Sequence, residues 1–355
     1  MDSLAVFQPL AIPGIFIASR CERNDRLASN AYLVKRESGN VLIDPLESDE
    51  ATQRALEEHG GVALVVVLAR DRAGNAPDYA KRFSSTVVDG FVHRDEIFPG
   101  GVAFAVPNQR SGEAFAIALS AERAVFAGAL LIGSPAGGLS LPSDAAGETA
   151  NRSALGLRSI LRQNPKCIFV ACGQSLYADA FATLYRLLYD VAGAEVHRIN
   201  LDELDGYERR DRPTTDRSID AEVGFEIGAK GLGYRVSTLL PGQRFCPLHG
   251  HASEEELFFV LDGNPSVRML SGTIRCRKGD FIALPVGETG THQLLNESDA
   301  PATVLLLART EMPEICYYPD SDKVLVETAT PFIQGDEARI VRASPSLDYF
   351  DGELL

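Results

Sequence analysis

Residues 62–68, VALVVVL, are seven consecutive apolar positions, most of them β-branched. A strand with one wet face alternates apolar and polar, so an unbroken run predicts a strand covered on both faces. Upstream, AYLVKRESGNVLIDP reads as two short strands joined at a Ser38-Gly39-Asn40 turn, which is a hairpin signal. Residues 49–59, between these two signals, are rich in helix formers and run into Gly60-Gly61, predicting a helix with a glycine C-cap. Further strands are predicted at residues 102–106, 115–119, 124–127 and 167–171, and helices at 155–162 and 178–188. This mixture predicts a layered α/β fold for a domain of residues 1–205.

The pattern then changes. DELDGYERRDRPTTDRSID, residues 202–220, is highly charged and nearly free of large aliphatics, so a linker is predicted at 206–222. Residues 223–310 carry short strand-like runs punctuated by glycine: GYRVSTLLPG, EELFFVLDG, SVRMLSG, TIRCRKGD, FIALPVG and ATVLLLA. With no strong helix among them, they predict an antiparallel barrel or sandwich. Residues 311–355 contain VLVET and ARIVRA, and are expected to pack as an extension on the barrel or on a partner.

Composition narrows the classes. With 355 residues and 45% hydrophobic positions the chain can bury cores in about two domains. Acidic residues outnumber basic ones 49 to 34, for a net charge of -15, which disfavours nucleic acid as a partner. No apolar run approaches the roughly 20 residues of a membrane span. The N-terminus carries Asp2, Pro9 and Pro13 without an early basic residue, unlike a signal peptide. Six cysteines lie far apart with no C-x-x-C pair, so neither a disulfide framework nor a zinc ribbon is expected. A soluble cytoplasmic protein follows as the expectation, and a homodimer, since small barrels expose strand edges. Histidine is scarce, at six residues.

Half of those six fall in one stretch. In PGQRFCPLHGHASEEELFFVLDG, His249 and His251 are two apart, so on a strand both imidazoles share a face. Glu256 opens the next apolar run, and His292 follows in GDFIALPVGETGTHQLLN. Two imidazoles on one strand, a carboxylate on the next and a third imidazole from a later strand can converge inside a small barrel. Such a nitrogen and oxygen set suits one divalent transition ion, whether Mn, Fe, Co, Ni, Cu or Zn. Coordination positions stay open for water, dioxygen or a chelating substrate.

These residues resemble the cupin superfamily. Its first signature, G-x5-H-x-H-x(3,4)-E-x6-G, is matched by Gly242, His249, His251, Glu256 and Gly263, with six residues rather than five after Gly242. The second, G-x5-P-x-G-x2-H-x3-N, is matched by Gly279, Pro285, Gly287, His292 and Asn296, with four residues rather than two before His292. The resemblance implies an antiparallel jelly roll with His249, His251, Glu256 and His292 as metal ligands and a small-molecule ligand or substrate in the barrel. Glu254 and Glu255 flank the carboxylate, and spacing to Gly263 favours Glu256. Reaction type does not follow, because cupins include dioxygenases, isomerases, decarboxylases, sensors and storage proteins.

The first half resembles a metallo-β-lactamase fold, an αββα sandwich, in the order of its landmarks: NAYLVKRESGNVLIDP, VALVVVLARDRAGNA, VPNQRSGEAFAIAL, VFAGALL and IFVACGQS. That fold places H-x-H-x-D-H after the strand equivalent to residues 62–68. Here Arg70, Asp71, Arg72, Gly74 and Asn75 stand there, Asn108-Gln109 near the second position, Ala129 after Gly128, and Cys172 before Gly173. Arginine has no lone pair to offer zinc, so hydrolytic chemistry is expected to be absent. The domain then serves as structure, as a dimerisation platform, or as an anion site on Arg70 and Arg72. His59, His93 and His197 read as surface or packing residues. GAKGLGY lacks the strand–helix context of a dinucleotide fingerprint, and Ser134 to Gly138 reads as a turn.

Two functions remain open on the sequence. One is a metal-dependent cupin enzyme, an oxygenase of a small organic acid or an isomerase. The other is a non-catalytic small-molecule binder or sensor, with a metal-stabilised barrel and a structural pseudo-hydrolase domain.

Overall fold

The structure, a computed structural model, describes residues 7–21, 27–109, 112–142, 147–208, 212–329 and 338–353. The chain divides into two units, Met1–Arg198 and Ile199–Leu355.

The first unit opens with β1 (Gln8–Pro9), β2 (Ile15–Arg20), β3 (Ser29–Val34) and β4 (Val41–Ile43). β3 and β4 form the expected hairpin, with Tyr32 opposite Ile43 and Val34 opposite Val41. In α1 (Glu50–Glu58), the Asp49 carboxylate caps the N-terminus by accepting the Thr52 N–H at 2.7 Å, and Gly60-Gly61 leave it at positive φ. The apolar run 62–68 supplies β5 (Leu64–Val66), parallel to β4. Then come α2 (Ala76–Phe83), β6 (Thr86–Val88), β7 (Glu96–Phe98), β8 (Gly101–Gln109), β9 (Gly112–Leu119) and β10 (Ala124–Gly133). α3 (Gly147–Gly156), α4 (Arg158–Leu161), β11 (Cys167–Gly173) and α5 (Ala180–Ala192) complete the unit. The helix predicted over 155–162 is therefore two helices, broken at Leu157. Most of α3 is polar or small, so it lacks the apolar stripe that reveals a helix in sequence.

The strands form one hydrogen-bonded path, β6-β5-β4-β3-β11-β10-β9-β8-β7, with β2 and β1 extending from β3. Alternation along β3 to β5 feeds two cores. Tyr32, Val34, Val41, Ile43 and Val66 meet Ile117, Phe126 and Phe169 on one side. Leu33, Leu42 and Val65 meet Leu56, Ala76 and Tyr79 of the helical layer on the other. Both faces are dry, which is why the sequence there is continuously apolar.

The second unit contains β12 (Tyr207–Glu208), β13 (Ile219–Glu222), β14 (Leu232–Leu239), β15 (Gly250–His251), β16 (Glu256–Asp262), β17 (Ser266–Met269) and β18 (Gly272–Arg275). It continues with β19 (Phe281–Leu284), β20 (His292–Leu295), β21 (Ala302–Arg309), β22 (Glu314–Tyr318), β23 (Lys323–Glu327) and β24 (Ala338–Arg342). Three antiparallel sheets result, ordered β12-β13-β14-β21-β16-β19, β15-β22-β23-β24 and β18-β17-β20. Inward residues of the six-stranded and three-stranded sheets, including Phe258, Val260, Val267, Leu294 and Val304, share one core.

The segment read as a linker is partly sheet. β12 and β13 form the edge of the six-stranded sheet, and β13 buries Asp220 against the Ser237 hydroxyl, which donates at 2.9 Å. Polar pairs do the work of aliphatics there, so the hydrophobic pattern is missing. The extension 311–355 packs on the barrel through β22, which pairs with β15. Among the described residues no helix is long and apolar enough to cross a membrane.

Candidate metal centre

His249 and His292 are brought together by backbone pairing. His249 N–H donates to His292 O at 3.1 Å and His292 N–H to His249 O at 2.8 Å. His251 sits two residues on, opposite Cys316 of β22, while Glu256 enters from β16 of the six-stranded sheet. One ligating atom from each of His249, His251, Glu256 and His292 lies within 4.8 Å of the others. Glu256 Oε2 is 3.0 Å from His292 Nε2 and 3.4 Å from His251 Nε2. Neither approach leaves a satisfied pair: His251 Nε2 and Glu256 Oε2 are both buried without a hydrogen-bond partner.

The orientation of two rings is fixed from behind. His249 Nδ1 lies 2.9 Å from Pro247 O, and His292 Nδ1 lies 2.9 Å from Gly290 O. A carbonyl has no proton to give, so each Nδ1 is the donor and each neutral ring keeps its Nε2 lone pair for the centre. Phe258 stands edge-on to His292 at 5.1 Å, and Tyr318 stacks on His249 at 5.8 Å.

His251 is held differently. Its Nδ1 lies 3.3 Å from Glu314 Oε1 and 3.5 Å from Cys316 Sγ. Glu314 is buried and accepts the backbone N–H groups of Ala252, Ser253 and Glu254, each at 3.0 Å. It is therefore locked in place before it meets the imidazole. The sequence reading passed over Glu314, Cys316 and Tyr318, yet a signal existed: in EICYY they occupy every second position, the inward face of β22.

Charge follows this packing. Burial alone would raise the Glu256 carboxyl, but the imidazoles of His251 and His292 outweigh it and hold it well below the usual carboxylate range. Burial, reinforced by the neighbouring imidazoles, lowers His249 to about 4. Burial also opposes a charged His251, but Cys316 and Glu256 beside it raise that ring to about 11. Glu254 is pushed up to about 7 by burial and by Glu314, and its Oε2 stays 4.0 Å from the outer nitrogen of His251. Glu256, not Glu254 or Glu255, thus faces the cluster.

Four donors of this kind, two of them buried and unpaired, fit a divalent transition ion.

The positions singled out in the first unit do not converge in this way. Arg70 is exposed, whereas Arg72 lines a cavity of about 330 Å³ with Arg20, Ser29, Leu46, Glu47, Asp71 and Asn75. Asn75 donates to Pro45 O, and Ala129 is exposed on β10. The side chains of Asn108 and Gln109 lie outside the described residues. His59 packs on Phe16, and His197 lies beside Tyr185 and Tyr189. Gly138 N–H donates to Pro135 O, closing the turn expected there.

Residues 235–308 match the family model of the cupin domain, a segment that includes His249, His251, Glu256 and His292. The match lies within the second unit and gives no support to the lactamase-like resemblance of the first. No curated protein matches the chain. Among solved structures, a protein assigned as a sugar phosphate isomerase from Acidithiobacillus ferrooxidans is 18% identical, with a TM-score of 0.39, covering 43% of this chain and 97% of its own. A sugar phosphate isomerase of the cupin superfamily from Silicibacter pomeroyi is 24% identical, with a TM-score of 0.36 and coverages of 43% and 98%. A protein assigned as an oxalate decarboxylase from Thermotoga maritima is 17% identical, with a TM-score of 0.29 and coverages of 32% and 99%.

Proposed function

We propose that the second unit holds one divalent transition-metal ion on His249, His251, Glu256 and His292, and acts on a small organic acid in an oxygenase-type reaction. The observation behind the metal reading is the convergence of three imidazoles and one carboxylate, with His251 Nε2 and Glu256 Oε2 buried and 3.4 Å apart without a hydrogen bond; the ion would displace the proton that His251 otherwise holds. Leaving such groups unpaired costs about 1–3 kcal/mol each, and a cation satisfies both. When bound, the ion supplies a Lewis acid with positions open to a chelating substrate. The residues around it do the rest. Pro247 O and Gly290 O fix two rings, Glu314 orients the third, and Phe258 and Tyr318 keep water from the histidine faces.

The same reading takes the first unit as a lactamase-like scaffold whose zinc positions are lost, and the assembly as a cytoplasmic homodimer. What supports the first of these is the order of landmarks and the non-ligating Arg70 and Arg72. Metal analysis of protein purified without added metal tests the centre. About one equivalent is expected in the intact protein and a clear deficit in His249→Ala. Failure to retain Mn, Fe, Co, Ni, Cu or Zn after incubation with each would refute it. Oxygen uptake with small acids then tests the reaction, and metal-loaded protein inert towards all of them would leave only a binding role.

A further inference from the structure

Two arginines that the ligand set does not use stand on the wall beside this centre. Arg235 on β14 lies opposite Leu306 of β21, which in turn lies opposite Phe258 of β16. Leu306 and Phe258 are core residues, as are Ser237 and Leu239 at alternate positions of β14, so the pleat turns Arg235 inward. Glu256 occupies the neighbouring inward position of β16, two residues before Phe258. The outer guanidinium nitrogen of Arg235 pairs with Glu222, but its Nε is buried without a hydrogen-bond partner.

Arg212 shares the Phe245 ring with Arg235. It donates to Phe245 O at 2.7 Å, and no carboxylate among the described residues forms an ion pair with it. The two guanidinium groups lie 5.7 Å and 5.6 Å from the Phe245 ring centre, a cation–π arrangement that steadies both. Cys246 links this pair to the metal ligands. Arg212 Nη1 lies 3.9 Å from its Sγ, and the Cys246 carbonyl accepts at 2.7 Å from the side chain of Gln293, the neighbour of His292.

We propose that Arg212 and Arg235 form an oxyanion-binding wall that seats the charged end of a small anionic substrate, a carboxylate or a phosphate, while its other oxygens face His249, His251, Glu256 and His292. A guanidinium fork matches such a group in two parallel hydrogen bonds. Arg235 is already paired with Glu222, whereas Asp216, the carboxylate that interacts with Arg212, is itself held by Arg244 in two hydrogen bonds, so among the described residues Arg212 is the guanidinium of the two without an ion pair. The far end of the substrate rests on the metal reading above; the arginine wall does not.

Calorimetric titration of the full chain with malonate, phosphoglycolate and neutral malonamide tests this, with and without bound metal. One of the two anions is expected to bind and malonamide is not, and which anion wins identifies the oxyanion. Arg212→Gln should weaken anion binding roughly tenfold or more, with metal content and thermal midpoint unchanged. Because Arg235→Gln strands Glu222 and risks unfolding, Arg235→Lys is the second variant; it keeps charge but loses the fork, and should also bind the anion more weakly. The wall is overturned by unchanged affinity in Arg212→Gln, by equal binding of malonamide, or by binding of neither anion. Arg212-dependent anion binding by a protein that retains no metal would uphold the wall and refute the metal centre.

Discussion

Changing Glu314 to glutamine keeps one oxygen for the backbone N–H groups of residues 252–254 but removes the charge facing His251 Nδ1 at 3.3 Å. Carboxylates behind a metal-binding histidine fix its orientation and raise its basicity, and their loss typically costs 10–100-fold in affinity. We expect a drop of that order in Glu314→Gln, read by competition with a chromophoric chelator. An unchanged affinity would reduce Glu314 to a clamp on the loop. A second residue titrates in the first unit. Asp44 is buried and accepts the Leu68 and Ala69 N–H groups at 2.8 Å and 2.7 Å, yet burial still raises its carboxyl to about 6. The folded state therefore binds the proton more tightly than the unfolded chain, whose Asp titrates near 3.9. Its contribution is fully present below about pH 4 and is lost as pH rises to about 6, a fall on the order of 2–3 kcal/mol. Asp44→Asn keeps the accepting oxygen and should flatten that slope in urea unfolding between pH 4 and 7; an unaltered slope would assign it to other groups. At this scale the sequence showed the imidazoles, because rare histidines at ligand spacing are a pattern. Glu314 was one glutamate among many until its strand was placed.

Gly263 ends β16 at φ +81°, and a Cβ there would lie 2.5 Å from Pro301 O and 2.7 Å from Ala302 Cα. An added methyl group meets backbone that has no room to move. Gly263→Ala combines this overpacking with a left-handed conformation, for a loss on the order of 2–4 kcal/mol. The shift in denaturant midpoint measures it, and a loss under about 1 kcal/mol would mean that the turn relaxes. Glycine punctuation of this kind made the barrel strands legible. The same logic failed at β12 and β13, where Asp220 bonds Ser237 and Glu222 pairs with Arg235. A strand that buries polar partners looks like a linker when read alone. β23 and β24 were legible as the strand-like runs VLVET and ARIVRA, but β22 was not, and nothing in its own residues announced that it pairs with β15.

For the whole molecule, metal removal should act on one unit. Binding to the folded state adds about 2.7 kcal/mol when free metal is one hundred times its dissociation constant. Chelation should therefore speed hydrogen exchange in β15, β16 and β20 while leaving β3, β4 and β5 unchanged. Equal acceleration in both units, or none in the second, would count against a resident ion on His249, His251, Glu256 and His292. Sequence alone determined the change from an α/β layer to an antiparallel barrel, since hydrophobic period and glycine spacing are local properties of the chain. It also determined which residue types gather around the centre. Only the tertiary structure decided that His249 pairs with His292 across 43 residues of chain, that Glu314 stands behind His251, and that Arg235 turns to the face of its sheet that also carries Phe258. Those placements are made by backbone hydrogen bonds between distant strands. Every residue but proline offers the same N–H and C=O groups, so the sequence carries no mark of which strands will join.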